Sequence, residues 1–348
     1  MRRWDIFCRV VDNYGDAAVC WRLARQLSTE HGAAVRLWID QPDTLAKLQP
    51  EQAGVEILRW DGQTAFADAA DIAIDAFDSG LPDAYAARMT ARSLWIKLEY
   101  LSAEPWVEAH HGLPSPHPTL PARRYFYFPG FTDRTGGLLR EHDLFARRDA
   151  FDAAQFWRAL GCAPPEPGTR VISLFGYENP ALRALLQAWA QDPRDTLLAT
   201  TDCPLAPDVH AFFGKHTRRG SLQVRYLPFL PQSRYDELLW ACDWNFVRGE
   251  DSFVRAQWAA RAFVWHIYPQ PEDAHRAKLE AFLARYGGGA QSLWRAWNGW
   301  DTDIGSAWSA AQADEDRLRA QASAWADRLG AQQDLASKLA AFCENLLK

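Results

Sequence analysis

No Cys-x-x-Cys pair occurs in the chain, and its six cysteines, Cys8, Cys20, Cys162, Cys203, Cys242 and Cys343, are scattered. That spacing argues against a structural zinc site or a redox dithiol and fits free thiols in a reducing compartment. An excess of positive charge is also missing. The 38 basic residues against 44 acidic ones leave a formal net charge of −6, which disfavours a nonspecific nucleic-acid binder. A basic protein partner stays compatible with it. No uninterrupted apolar run reaches the roughly 20 residues of a membrane helix. The opening Met1-Arg2-Arg3 leads into an apolar segment broken by Asp5 and Arg9, so it reads as a first strand and not as a signal peptide. Neither GxGxxG nor the glycine-lysine pattern of a phosphate-binding loop is present, and no internal repeat stands out.

What is present is a chain of 348 residues, 48% hydrophobic and 24% charged, long enough for two cores and composed like a globular enzyme. Seventeen tryptophans either fill those cores or mark a protein-binding face. Apolar segments at residues 4–11, 33–39, 55–58, 71–74, 93–98 and 125–128 read as strands, separated by helix-length stretches such as the one carrying Val19, Leu23 and Leu27. The linker Gly161-Cys162-Ala163-Pro164-Pro165-Glu166-Pro167-Gly168 predicts a domain boundary. Beyond it the pattern restarts, with strands at residues 170–175, 196–199, 223–226, 242–247 and 262–267. A helix opens near Ser233 as its cap, and helices fill the remainder, among them 310–329 and 333–347. Strands alternating with helices predict an α/β protein with mostly parallel sheets. Ligands would sit at the carboxyl ends of the strands.

Two loops at such strand ends carry chemistry. In Asp12-Asn13-Tyr14-Gly15-Asp16 two carboxylates flank a glycine. A carboxylate there can orient or deprotonate a nucleophile, and Asp is equally suited to a helix cap or a turn. The second is Arg248-Gly249-Glu250-Asp251-Ser252-Phe253-Val254-Arg255-Ala256-Gln257, a strand end, a tight turn and a helix start. Such a junction aims backbone N–H groups at an anion. Arg248 and Arg255 are local cations to offset repulsion between phosphate and carboxylate, and Ser252 either caps the helix or meets phosphate. Phe175, Tyr177, Phe229 and Tyr235 are stacking surfaces for a base or else core. His110, His111 and His117 lie in a proline-rich stretch without a ligand pattern, so no metal is expected there. His266 falls in a strand, His275 in a helix, and Glu99 with Tyr100 at a further strand end.

The combination resembles the elongation factor P arginine rhamnosyltransferase family. The resemblance is carried by Ile6-Phe7-Cys8-Arg9-Val10-Val11-Asp12-Asn13-Tyr14-Gly15-Asp16, Trp21-Arg22-Leu23-Ala24-Arg25, Glu99-Tyr100-Leu101-Ser102-Ala103-Glu104, Leu174-Phe175-Gly176-Tyr177 and residues 131–140, 228–232, 248–257 and 265–270. It implies a GT-B-like α/β fold, two Rossmann-like domains facing a central cleft. Residues 1–160 would bind the acceptor and 169–330 the nucleotide sugar, with a helix in 331–348 packing back on the first domain. It implies an inverting enzyme of the bacterial cytoplasm that moves rhamnose from dTDP-β-L-rhamnose to one arginine of elongation factor P, and nothing in it requires a metal. By the resemblance Asp16 is the general base, Asp12 organises the acceptor or the base, and Glu250 is a catalytic or sugar-binding carboxylate. Asp251 and Ser252 lie near the diphosphate or sugar with Gln257 beside them. Phe175, Tyr177, Phe229, Pro231, Gln232 and Tyr235 form the nucleotide pocket. Asn13, Tyr14, Gly15, Leu230, Arg248, Gly249 and Phe253 complete the binding set. The other classes open to such a sequence are a glycosyltransferase with another acceptor, an NAD-dependent oxidoreductase lacking its glycine fingerprint, and a non-catalytic binding module.

Overall fold

A strand with two apolar faces must be covered on both, and the period of two along a strand sorts its side chains between them. In the first strand, β1 (Arg3–Cys8), Trp4, Ile6 and Cys8 enter one core while Phe7 enters another. The same alternation sends Leu37 and Ile39 to the first core and Trp38 to the second, and divides Ile72 and Ile74 from Ala73. These observations come from a computed structural model that describes residues 2–12, 14–48, 54–300 and 303–348.

Five further strands join the first: β2 (Ala34–Ile39), β3 (Val55–Arg59), β4 (Ile72–Ala76), β5 (Leu94–Leu98) and β6 (Arg123–Tyr127). Their order is β3-β2-β1-β4-β5-β6, and every neighbouring pair is parallel. The helix Gly15–His31 covers one face, and against it packs the last helix, Leu335–Leu347, through Leu335, Ala336, Leu339, Ala340 and Cys343. Buried Asp5 lies on the other side of β1, held by both branches of the Arg36 guanidinium at 2.6 and 2.7 Å and by the Tyr85 hydroxyl at 2.6 Å. A buried carboxylate is tolerable only when paired in this way.

The second sheet comprises β7 (Arg170–Leu174), β8 (Thr196–Thr200), β9 (Arg218–Arg219), β10 (Leu222–Tyr226), β11 (Trp244–Arg248) and β12 (Ala262–His266). Their order is β12-β11-β7-β8-β10-β9. The short β9 runs antiparallel to β10, and the other pairs are parallel. Phe156, Trp157, Val171, Leu197, Leu238 and Cys242 pack on one face. On the other face Trp189, Trp244, Trp297 and Trp308 gather around Phe246, with ring centroids 5.1 to 6.4 Å apart. Every tryptophan except Trp106 is buried, so core filling is their dominant use.

The chain divides into two compact units, Met1–Leu144 with Gly330–Lys348 and Phe145–Leu329. The break therefore precedes the proline-rich linker. Phe156 and Trp157, on the helix Ala153–Ala159, belong to the core of the second unit. Arg140 holds the returning segment in the first unit by donating to the carbonyls of Gly330 and Gln332.

Several local expectations change. The stretch 310–329 is two helices, Ile304–Ala313 and Glu315–Gly330, because Asp314 leaves helical geometry at φ −112°, ψ 15°. The helix at Gln232–Ala241 is entered through Pro231 and not capped by Ser233. A helix at Ala206–Phe213 was hidden by Pro207, which sits in its first turn, where no N–H partner is lost.

Candidate active site

In a doubly wound sheet the crevice for a ligand opens where the strand order reverses. In the first unit that point lies between β1 and β4, and in the second between β7 and β11. Both acidic loops leave strands at these points: Asp12 to Asp16 follows β1, and Gly249 to Ser252 follows β11.

Asp16 sits in the first turn of the helix Gly15–His31 and is 3% exposed. Its Oδ2 accepts the backbone N–H groups of Val11 and Asp12, each at 2.9 Å. Its Oδ1 accepts the Tyr100 hydroxyl at 3.3 Å. The carboxylate is thus oriented through one oxygen, and the other keeps acceptor capacity. Burial raises its proton affinity above that of an ordinary aspartate, Asp12 adds to this, and the backbone and Tyr100 donors oppose it. Tyr14 is the N-cap of the helix. A Cβ on Gly15 would meet the Asp12 carboxylate at 2.9 Å, so glycine is what lets Asp12 fold against the loop. Asn13 lies outside the described residues.

Sequence reasoning passed over the loop after β4. Phe77 and Asp78 both adopt left-handed backbone conformations, at φ 58° and 54°, costing roughly 1–2 kcal/mol per non-glycine residue. Buried Asp75 braces them, accepting from the Ser79 hydroxyl and the Gly80 N–H at 2.9 Å each. The Phe77 ring stacks on Tyr100 at 4.5 Å and 16°. Only the strand order, which sets β4 beside β1, brings this loop to Asp16, and no local motif could announce it.

In the second unit, Gly249 turns the chain at φ 62°, a position suited to glycine. Glu250 is the N-cap of the helix Asp251–Trp258 but makes no side-chain cap bond. Ser252 lies inside the helix, so the simple capping role is excluded for both. The Arg248 guanidinium rests over the rings of Phe175 at 4.8 Å and Tyr177 at 4.7 Å. Tyr235 meets Phe175 edge-on at 5.7 Å. Its hydroxyl is buried beside Ser252, whose hydrogen bond opposes the upward push that burial gives its pKa. His266, against Tyr177 at 5.3 Å, is held down to about 4 by burial, Arg248 and His275, and is therefore neutral near pH 7. Its buried Nδ1 has no hydrogen-bond partner among the described residues. An unpaired buried polar atom of this kind calls for a ligand or water.

Other candidates lie elsewhere. Arg255, expected as a cation for phosphate, is 1% exposed and forms a two-pronged pair with buried Asp236 at 2.9 and 2.7 Å. That pair ties the helix Asp251–Trp258 to the helix Gln232–Ala241. Phe253 stacks on Trp265 at 3.9 Å in the interior. Gln257 accepts the Trp325 indole N–H at 2.8 Å and donates to the Phe253 carbonyl. Leu230 belongs to the core under β7 and β8. Gln232 is buried, Pro231 half-buried and Phe229 39% exposed. The three clustered histidines serve locally: His111 accepts from the Phe128 N–H, His117 accepts from Thr119 and Leu120, and His110 contacts the Trp106 carbonyl. Among the described residues no group of three or more His, Cys, Asp or Glu is arranged to hold a metal, and no helix is long and apolar enough to cross a membrane.

Two doubly wound α/β units in one chain, each with polar loops at its own switch point, form a glycosyltransferase of the GT-B class. MurG of Acinetobacter baumannii shares that fold at a TM-score of 0.53 and 13% identity, covering 99% of this chain and 98% of that one. The family model described as elongation factor P (EF-P) rhamnosyltransferase EarP matches residues 4–344, and the chain belongs to that family. It is 47% identical to a protein-arginine rhamnosyltransferase of Pseudomonas putida across 99% of both chains. It is also similar, at a TM-score of 0.72 and 38% identity over 99% of each chain, to a solved structure described as the structural basis for EarP-mediated arginine glycosylation of translation elongation factor EF-P.

Proposed function

We propose that this enzyme transfers L-rhamnose from dTDP-β-L-rhamnose to one arginine of elongation factor P, with inversion at C1, in the bacterial cytoplasm. The observation that carries the reading is the Asp16 carboxylate: buried, fixed through Oδ2 by two backbone donors, with Oδ1 facing Tyr100. Removing a proton from free guanidinium before attack would cost about 8 kcal/mol at pH 7. Proton loss is therefore coupled to attack. A guanidine nitrogen bonds to C1 as its proton passes to Asp16 Oδ1, and the C1–O bond breaks with its electron pair leaving on dTDP. The raised proton affinity of Asp16 narrows the gap between base and guanidinium. Asp12, with Tyr14 and Gly15, shapes the acceptor side.

On the donor side, the first turn of the helix Asp251–Trp258 and Arg248 meet the diphosphate charge. Glu250 binds sugar hydroxyls, and the base stacks among Phe175, Tyr177, Phe229 and Tyr235, with Gln232 beside it. The test is a purified reaction of this chain with the donor and intact acceptor, followed by site-resolved mass analysis and NMR of the anomeric centre. One deoxyhexose on a single arginine, in the α configuration, supports the reading. Sugar on a hydroxyl, a retained anomer, or no product overturns it.

A further inference from the structure

We propose that Tyr100 is a positioning residue for Asp16, and that Phe77 acts through it by fixing its ring. The contact chain is short. The Phe77 ring lies flat on Tyr100 at 4.5 Å, and the Tyr100 hydroxyl points to Asp16 Oδ1 at 3.3 Å. That hydrogen bond is longer than the roughly 2.7–2.8 Å of a strong O–H···O contact, leaving room to tighten when substrate binds. Oδ2 is already fixed by two backbone N–H groups. Tyr100 therefore bears on the rotation of the carboxylate and on the electron density of the oxygen that takes the proton.

The Phe77 backbone explains why the ring is where it is. A bulky aromatic in the left-handed region is rare. Here its neighbour Asp78 is left-handed too. The loop is pinned on three sides: the Phe77 N–H donates to the Leu98 carbonyl at 2.8 Å, Asp75 holds Ser79 and Gly80, and Lys97 pairs with Asp78 at 2.9 Å. Strain retained next to a functional carboxylate points to a role in holding it. Glycine would occupy this backbone at less cost but would supply no ring.

The inference rests on the reading of Asp16 as the base. Among the described residues, the charged group facing Asp16 is Asp12, and its other polar neighbours are the N–H groups of Val11 and Asp12 and the Tyr100 hydroxyl. A donor to the carboxylate favours the ionised form. Tyr100→Phe deletes that donor and keeps the stacked ring. In the intact reaction it is expected to lower kcat about tenfold and to move the acid limb of the kcat profile upward by roughly half to one pH unit. KM for the donor should stay put. Phe77→Leu should show the same pattern more weakly, and Phe77→Tyr should restore it. The Tyr100→Phe/Phe77→Leu double variant should be no worse than Tyr100→Phe alone, as expected for residues acting in series. An unmoved acid limb in Tyr100→Phe overturns the role of Tyr100, and multiplicative losses in the double variant overturn the series. Parental turnover in Asp16→Asn would instead sink the base assignment itself, so the two failures are separable.

Discussion

Replacing Asp16 by Asn separates chemistry from folding more cleanly than any other change in this molecule. The side chain keeps its shape, and the amide oxygen can accept the same two backbone N–H groups that Oδ2 accepts at 2.9 Å. The amide nitrogen then faces the Tyr100 hydroxyl, which can accept a hydrogen bond as well as donate one. Proton acceptance is lost. General-base catalysis is worth typically 10²–10⁴-fold, or about 3–5 kcal/mol of barrier, so initial rates by site-resolved mass analysis should fall by at least about a hundredfold. Stability should move the other way. The pKa of Asp16 is raised by burial, so the fold favours the protonated acid. That contribution is full below the unfolded pKa of about 3.9 and is lost as pH rises through the higher folded value. At pH 7 the ionised side chain weighs against folding, and a neutral amide removes that weight. Thermal unfolding at pH 7 should show an unchanged or higher midpoint, and the gain should vanish at pH 3. Parental turnover, or a clear loss of stability at pH 7 confined to this variant, would refute the reasoning.

Arg248→Lys should raise the donor KM about tenfold with kcat less affected, because an ammonium cannot lie flat over both Phe175 and Tyr177; isothermal titration with dTDP checks it. Asp236→Asn removes the carboxylate charge from the buried two-pronged pair with Arg255 and should cost about 3–5 kcal/mol in urea unfolding; a cost below 1 kcal/mol would mean the pair is not structural. Gly15→Ala drives a methyl group to 2.9 Å from the Asp12 carboxylate, so turnover should fall several-fold with donor affinity intact, as a donor titration beside the kinetic assay would reveal.

Much of the architecture was readable because each sheet strand is a short apolar run bounded by turns, and parallel sheets buried on both faces demand such runs. The two acidic loops were readable for the same reason: they interrupt the pattern at strand ends. What escaped was set by partners distant in sequence. Arg255 looked like a phosphate ligand until Asp236 claimed it. Phe253 and Gln257 follow the acidic loop but turn inward because Trp265 and Trp325 wait there. Phe77 gained meaning only from the placement of β4 beside β1. The two-residue β9 leaves no periodic trace at all.

The last helix, Leu335–Leu347, completes the core of the first unit, yet the ribosome makes it after every residue of the second. The half that bears Asp16 therefore cannot close its hydrophobic interior during synthesis until the other half has already emerged. Nascent chains halted anywhere before residue 335 would carry an uncovered apolar face on the helix Gly15–His31. A fragment of the first unit lacking this helix would offer that apolar face to chaperones and proteases.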